Sequence, residues 1–252
     1  MNWDQLTSPE LDALDRSIPV ILPVAAIEQH GLHLPLATDR MIVEYFCKQL
    51  HEDIPEQVLI LPVMSVGCSE HHMEFTGSLT LQHDTFLHQA EDILGSVAKH
   101  GFKNLIIYNS HGGNLGISQV ILEHFGVRHP ECRVILITWW KIVAEALFDL
   151  NETGEGGVGH AGEFETSLMM LIAPELVHHD KIGDKQNQQS FEWANGDMIR
   201  GPKASLYRSM KTMTPNGVFG DVRKISAGKG QKITDLAVGG LKEIVLDLYH
   251  VQ

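Results

Sequence analysis

Short apolar runs recur along this 252-residue chain, and each is followed by a segment with helical spacing of apolar residues. The runs occupy residues 20–26, 58–64, 104–109 and 133–138. Strands that are apolar on both faces are typical of parallel sheets covered by helices on both sides. Parallel neighbours also need a crossover about as long as the intervening helical segments. The predicted fold is α/β, a three-layer α/β/α arrangement with a mostly parallel central sheet.

Apolar residues recur at three- and four-residue intervals in the segments predicted to be helical. These are residues 39–50, 85–100, 115–128, 140–150, 162–173 and 233–249. The intervening stretch 178–232 is polar and weakly periodic, which predicts loops and short strands acting as a lid or an oligomer contact. No repeat or linker divides the sequence, so a single domain over residues 1–252 is predicted.

Composition excludes several function classes. The formal net charge of −13 argues against a nucleic-acid partner, which would need a basic face, but it permits a small charged substrate. The three cysteines form no CxxC pair, so a zinc knuckle or a dithiol redox motif is not supported. No apolar run approaches the roughly 20 residues of a membrane span, and no signal-peptide pattern opens the sequence. We therefore expect no membrane partner and a cytoplasmic location.

Residues 28–39 directly follow the first apolar run and concentrate metal-binding side chains. Glu28, His30, His33 and Asp39 lie within these twelve positions, which a glycine and a proline interrupt. Such a loop can fold side chains toward one point, and His with Asp or Glu is the usual ligand set of zinc and its neighbours. Two simpler interpretations stay open: Asp39 could cap a helix, and His33 could line a pocket or hold a ligand carboxylate.

The loop at residues 110–114 follows the third apolar run. In a parallel α/β sheet, ligands bind outside the carboxyl ends of the strands. His111 is therefore predicted to face Glu28, His30 and Asp39. The alternative is a simple tight turn, since two glycines follow His111.

Two further segments carry candidate groups. His160 follows a glycine-rich loop and precedes Glu163 and Glu165, a pattern typical of a catalytic edge or, alternatively, of acids that favour the first turn of a helix. His71 and His72 follow the second apolar run, and one of them could touch a substrate.

Taken in order, four motifs resemble the creatininase (creatinine amidohydrolase) family. They are EQHGLHLPLATD at 28–39, NSHGGN at 109–114, HAGEFETS at 160–167 and TPNGVFGD at 214–221. The similarity runs from about residue 20 to residue 249 and is to the HGGN/HAGE-type members rather than to creatininase proper. It implies an α/β fold and a two-metal site that hydrolyses a non-peptide, often cyclic, C–N bond.

The resemblance also implies residue roles. Glu28, His30, Asp39 and His111 match the family's metal ligands, with Asp39 matching the carboxylate that bridges the two ions. His160 matches the histidine proposed to transfer a proton. One further residue, expected to be both a metal ligand and catalytic, lies where this chain differs from creatininase proper.

Two departures stand out. Gly113 occupies the position of a glutamate ligand in creatininase proper, and we expect Glu163 to replace that ligand. Glu165 is the alternative fifth ligand and otherwise supports the site from outside or is structural. Gly156 stands where creatininase proper has a tryptophan that closes over creatinine, which argues for another substrate. The residues expected to line the substrate site are His71, Gly112, Gly113 and Trp140.

Charge balance favours two divalent ions, because three carboxylates and a shared hydroxide would carry four negative charges. Zinc is the favoured ion, with manganese or iron as alternatives. The predicted function is hydrolysis of a C–N bond in a small cyclic amide, with His160 as proton shuttle. Alternatives are a formamide deformylase, a small-peptide hydrolase, a keto-sugar ring hydrolase, or a non-catalytic binding protein with this fold. A homo-oligomer, with a hexamer as one form, is expected from the resemblance.

Overall fold

The computed structural model describes residues 1–183, 187–188, 190–194 and 198–250. Within these residues four strands form one parallel sheet in the order β2-β1-β3-β4. The strands are β1 (Val20–Val24), β2 (Leu59–Ile60), β3 (Asn104–Asn109) and β4 (Arg133–Thr138). Every pairing is parallel, so the predicted sheet type is confirmed.

In chain order the helices are α1 (Ser8–Asp12), α2 (Thr38–Asp53), α3 (His83–Lys99), α4 (Leu115–Arg128), α5 (Trp139–Ile142), α6 (Ala144–Leu150), α7 (Glu163–Ile172), α8 (Met210–Met213) and α9 (Ala227–His250). The segments predicted to be helical occur in this order, whereas the short helices α1 and α8 were not predicted. The predicted helix at 140–150 is divided at Val143, whose φ of −129° is not helical. Helix α9 begins six residues before its predicted start.

Successive residues of the central strands point to opposite apolar layers. Ile21, Ile106 and Tyr108 belong to one layer, which includes side chains of α2, α7 and α9. Leu22 and Ile107 belong to the other, which includes side chains of α3 and α4. A sheet buried on both faces explains the unbroken apolar runs in the sequence, and the three-layer α/β/α fold is confirmed.

One edge of the sheet and the polar stretch 178–232 differ from the predicted pattern. Strand β2 is only two residues long, and Pro62, which cannot donate a hydrogen bond to a neighbouring strand, follows it. In the part of the stretch 178–232 that the structure describes, 3-10 turns and α8 replace the short strands we expected. Positions 184–186, 189 and 195–197 lie outside the described residues. No described helix is long and apolar enough to cross a membrane.

Candidate active site

Four of the predicted ligands converge at the carboxyl ends of β1 and β3. Glu28 and His30 lie on the loop after β1, Asp39 in the first turn of α2, and His111 directly after β3. The two Asp39 carboxylate oxygens face different imidazoles: Oδ1 lies 3.2 Å from His30 Nε2, and Oδ2 lies 3.1 Å from His111 Nδ1. Glu28 Oε2 lies 3.3 Å from His111 Nε2. Asp39 therefore lies between His30 and His111, with one carboxylate oxygen facing each imidazole.

Glu165, rather than Glu163, joins this cluster. Its Oε2 lies 3.8 Å from His30 Nε2, and it also accepts a hydrogen bond from the Ala161 backbone amide at 2.6 Å. His30, His160 and Glu165 form one of the groups whose ligand atoms all lie within 4.8 Å of one another. The expectation that Glu165 supports the site from outside is corrected by this placement.

Glu163 points away from the cluster and is fully engaged elsewhere. Its carboxylate pairs with the buried Lys229 ammonium of α9. It also accepts hydrogen bonds from the Thr153 hydroxyl and from the backbone amides of Glu152 and Thr153, the amides at 3.1 and 3.0 Å. Residues two apart on a helix lie about 200° apart around its axis, so Glu163 and Glu165 cannot face the same site. Glu163 is therefore the anchor between α7, α9 and the preceding loop, which corrects its predicted place at the metal site.

His72 belongs to the cluster, although the sequence indicated only that it or His71 could touch a substrate. It lies in a 3-10 turn after β2, is fully buried, and its Nε2 is 3.3 Å from Glu28 Oε1. Its ring centroid lies 4.5 Å from that of His160. No periodicity marks this loop, so only the adjacency of His71 and His72 to the end of a strand pointed to it.

His160 lies beside the cluster, and a backbone carbonyl fixes its orientation. Its Nε2 lies 2.7 Å from the Gln29 carbonyl oxygen, which accepts a hydrogen bond from that nitrogen. This leaves Nδ1 without the proton, 3.6 Å from Glu28 Oε1. Burial lowers the pKa of His160 well below its usual range. The ring is therefore a neutral base whose free nitrogen faces the buried acids. Ala161 beside it has φ of +51°, a left-handed backbone conformation that is strained for a residue with a side chain.

The buried carboxylates and imidazoles of the cluster shift one another's pKa values. Burial alone would lower the pKa of both His30 and His111, but the carboxylates around them raise it to about 10 and about 9 respectively. Burial raises the pKa of Glu28, and it raises the pKa of Glu165 to about 7. Burial would also raise the pKa of Asp39, yet His30 and His111 hold it below its usual range. Protons on imidazole therefore balance the carboxylates where divalent cations would otherwise do so.

The unsatisfied polar atoms fit the same interpretation. Buried atoms without a hydrogen-bond partner in the described structure include Glu28 Oε2, Asp39 Oδ2, His30 Nε2 and both His72 ring nitrogens. His30 Nε2 is close to Asp39 but is not aligned with it as a hydrogen bond requires. Native proteins leave few such atoms without a partner. Their convergence is what a cation site predicts.

Backbone carbonyls fix the orientation of two imidazoles. His30 Nδ1 lies 3.0 Å from the Glu28 carbonyl oxygen, and His111 Nε2 lies 3.2 Å from that of Cys68. An imidazole that donates one nitrogen to a carbonyl presents the other as a lone pair, the arrangement typical of metal-binding histidines. The donor set and its supports therefore fit divalent cations.

A cavity of about 470 Å³ opens above the cluster. Of the residues predicted to line the substrate site, His71, Gly112 and Trp140 do so. Trp139 instead packs in the core against Phe46, with ring centroids 5.6 Å apart. Gly113 lines the adjacent cavity and not this one, which corrects its predicted place.

His33, the remaining candidate of the first motif, stays outside the cluster. Its Nε2 lies 2.9 Å from the Thr166 hydroxyl, so it connects the loop after β1 to α7. Burial lowers the pKa of His33 to about 4. It is a neutral structural histidine in this arrangement.

Gly113 is expected to tolerate no side chain. A methyl group there would overlap the Cys68 carbonyl oxygen and the His111 ring, whereas one at Gly112 would meet no atom within 4 Å. We expect Gly113→Ala to lower the free energy of unfolding by about 1–3 kcal/mol, as overpacking does, and Gly112→Ala to stay within about 1 kcal/mol of the parent. Urea denaturation of both variants measures this, and equal stability would contradict the tight packing around His111.

Comparisons with known proteins give a family and similar folds. A family model described as creatininase, creatinine amidohydrolase, matches residues 4–245. Creatinine amidohydrolase of Pseudomonas putida is 26% identical over 242 residues, covering 90% of this chain and 88% of that protein. A mycofactocin precursor peptide peptidase of Mycobacterium tuberculosis is 28% identical over 240 residues, covering 90% and 83%. A solved structure, "Creatininase Mn", has a TM-score of 0.84 at 23% identity and covers 99% of both chains.

Proposed function

The chain belongs to the creatininase family, and from that premise we propose that it is a metal-dependent hydrolase that cleaves a C–N bond of a small amide. The observation that carries the proposal is the convergence of orphaned carboxylate and imidazole atoms on the floor of the cavity. Related hydrolases named for creatinine and for a precursor peptide support the coarser class. The cyclic amide expected from the motifs is one substrate within it.

Two divalent ions would be held by five side chains. They are Glu28, His30, Asp39, His111 and Glu165. Their three carboxylates balance most of the charge of two such ions, and the two faces of Asp39 suit a shared ligand. Zinc and manganese both accept this mixed nitrogen and oxygen set, and the manganese structure of a relative supports the latter. When bound, such ions polarise an amide carbonyl and activate water.

The chain itself supplies orientation and proton transfer. His160 Nδ1 faces the cluster and accepts a proton there, while the Gln29 carbonyl fixes the tautomer through Nε2. Delivery of that proton to the departing nitrogen completes the C–N cleavage. His72 lies against Glu28 and His160 and excludes water from that side of the floor. No serine or cysteine nucleophile is needed.

A hydrolysis screen tests the proposal. Metal-reconstituted protein is offered lactams, cyclic ureas, creatinine, formamides and short peptides, and metal content is determined by elemental analysis. We expect about two ions per chain, since five ligands and a shared carboxylate describe a two-centre site, together with turnover of at least one amide class. A carefully purified chain that binds no divalent metal would remove the proposal.

Metal binding is expected to release protons. Without cations, the raised pKa values of His30, about 10, and of His111, about 9, keep both imidazoles protonated at pH 7. A metal ion must displace those protons, so its apparent affinity should fall as the pH is lowered. Titration calorimetry at pH 7 in buffers of different ionisation enthalpy measures the protons released. A binding enthalpy that does not depend on the buffer would contradict the expectation that the metal displaces protons from His30 and His111.

A further inference from the structure

The cavity above the cluster is organised in three levels. Its floor holds the acids and histidines of the site. Its walls are apolar, formed by Leu115, Trp140, Met198, Met210, Met213 and Phe219. Its outer lining carries two cations, Lys141 and Arg200, whereas the lining acids are the buried Glu28, Asp39 and Glu165 of the floor. Buried acids and exposed cations therefore line the same cavity, together with apolar side chains.

Of the two cations, Lys141 is the one available to a ligand. Arg200 Nη1 lies 3.6 Å from Glu155 Oε2, and its guanidinium lies 4.5 Å from the Phe148 ring centroid. Lys141 is exposed and follows the buried Trp140 on α5. Within the part of the chain that the structure describes, no carboxylate lies within 4.0 Å of the Lys141 ammonium.

The net negative charge of the chain makes a cation at Lys141 important for binding an anionic ligand. A chain with a net charge of −13 repels anions at long range, so an anionic ligand needs a local cation to be retained. The floor cannot select such a group at a distance, because bound cations would neutralise its carboxylates. A lysine at the mouth, above an aromatic wall, supplies the local charge.

The volume of the cavity also favours a ligand larger than a small ring. A volume of about 470 Å³ lies within the 300–1,000 Å³ typical of pockets for drug-sized ligands. The five sulfur and aromatic side chains of the wall suit an apolar group of variable shape. A small five-membered ring would leave most of this wall without contact.

We propose that the substrate is an acyclic amide that carries an apolar side chain and, beyond it, an oxyanion such as a carboxylate, and that Lys141 binds this anion. The inference rests on the proposed amide hydrolysis. Water adds to the amide carbonyl, the C–N bond breaks, and the amine leaves with a proton, giving a carboxylic acid and an amine. The apolar group contacts the wall near Trp140, and the anion pairs with the Lys141 ammonium at the cavity mouth.

The test compares matched probes. N-formyl- and N-acetylphenylalanine carry a carboxylate, their primary amides are neutral, and N-acetylphenylalaninol phosphate carries a phosphate monoester. We expect kcat/KM for the acids to exceed that for the amides by about tenfold, the scale of one charge-assisted hydrogen bond. The acid and the phosphate ester together show which oxyanion fits best.

Variants assign the preference to Lys141. Lys141→Met should bring the acid-to-amide ratio close to unity, and Lys141→Arg should retain most of it. Lys48→Met, which removes an equal charge from an exposed lysine of α2 paired with Glu52, is the control for long-range electrostatics and should keep the parental ratio. A ratio that persists in Lys141→Met would overturn the inference, since the bound ions would then be selecting the anion.

The remaining outcomes separate the two proposals. Hydrolysis of the neutral amides without preference for the acids overturns the role of Lys141 and leaves the amide hydrolase in place. Turnover of lactams or creatinine, but of no acyclic probe, overturns the acyclic substrate in the same way. Metal-loaded protein that hydrolyses no amide of any class removes the proposed function itself.

Discussion

Glu165→Gln should abolish most hydrolase activity and lower the metal content, whereas Glu163→Gln should leave the metal content unchanged. Glu165 lies 3.8 Å from His30 Nε2 in the buried cluster, and the neutral amide lacks the charge that holds a divalent cation. We expect a loss of activity of at least about 100-fold, since even residues supporting the ligands change metal affinity by 10–100-fold. Elemental analysis and initial rates with the best amide substrate measure both effects.

The two variants should also differ in stability, in the opposite sense. Glu163→Gln removes one of the two carboxylates paired with the buried Lys229 ammonium, the other being that of Glu152, and should cost about 1–3 kcal/mol. Burial raises the pKa of Glu165 to about 7 in the metal-free chain, so ionised Glu165 disfavours folding as the pH rises through that value. Metal-free Glu165→Gln should therefore be at least as stable as the parent at pH 8 in urea denaturation. Metal loss in Glu163→Gln with normal content in Glu165→Gln would reverse the assignment.

His160→Ala should reduce kcat by about 10²–10⁴-fold, the usual contribution of a positioned proton-transfer group, while the metal content is retained. His160 Nδ1 faces the cluster, 3.6 Å from Glu28 Oε1, while its other nitrogen binds the Gln29 backbone. His33→Gln is the matched control, because His33 is also buried and neutral but contacts Thr166. It should cost stability while kcat stays within about tenfold of the parent, the range below a proton-transfer effect.

A leaving-group series sharpens this test. The aniline released from an electron-poor anilide leaves with little need of a proton. Hydrolysis of such an anilide should therefore be slowed less by His160→Ala than hydrolysis of an alkyl amide. Equal losses for both substrates would show that His160 positions the site instead of transferring a proton.

The fold could be predicted because its signal is local. Strands β3 and β4 and helix α4 were predicted with the bounds that the structure has, since unbroken apolar runs and three- to four-residue spacing each report burial directly. The meeting of His111 with Glu28 also followed from topology, because parallel strands end at the same edge. The start of α9 did not follow, since Lys229 and Gly230 are buried there by contacts with α7, which no local pattern reports.

The choice between Glu163 and Glu165 depends on the rotation of α7 about its axis. Both are acids in the first turn, both are buried, and motif similarity alone led to Glu163. The Lys229 ammonium decides between them, because it lies 66 positions after Glu163 in the chain and pairs with the Glu163 carboxylate. Such a partner is visible only after the packing of α7 on α9 is known.

The origin of the cluster residues along the chain has a consequence for how the protein reaches its native state. The site draws on positions 28, 39, 111 and 165, and its two sheet-borne parts become neighbours only when β1 pairs with β3. No short segment can hold the full ligand set beforehand, so a cation cannot nucleate this chain as zinc nucleates a finger peptide. The slow search for non-local contacts must be completed by the apolar core alone. A cation that binds only the folded site would meet carboxylates already balanced by protons on His30 and His111.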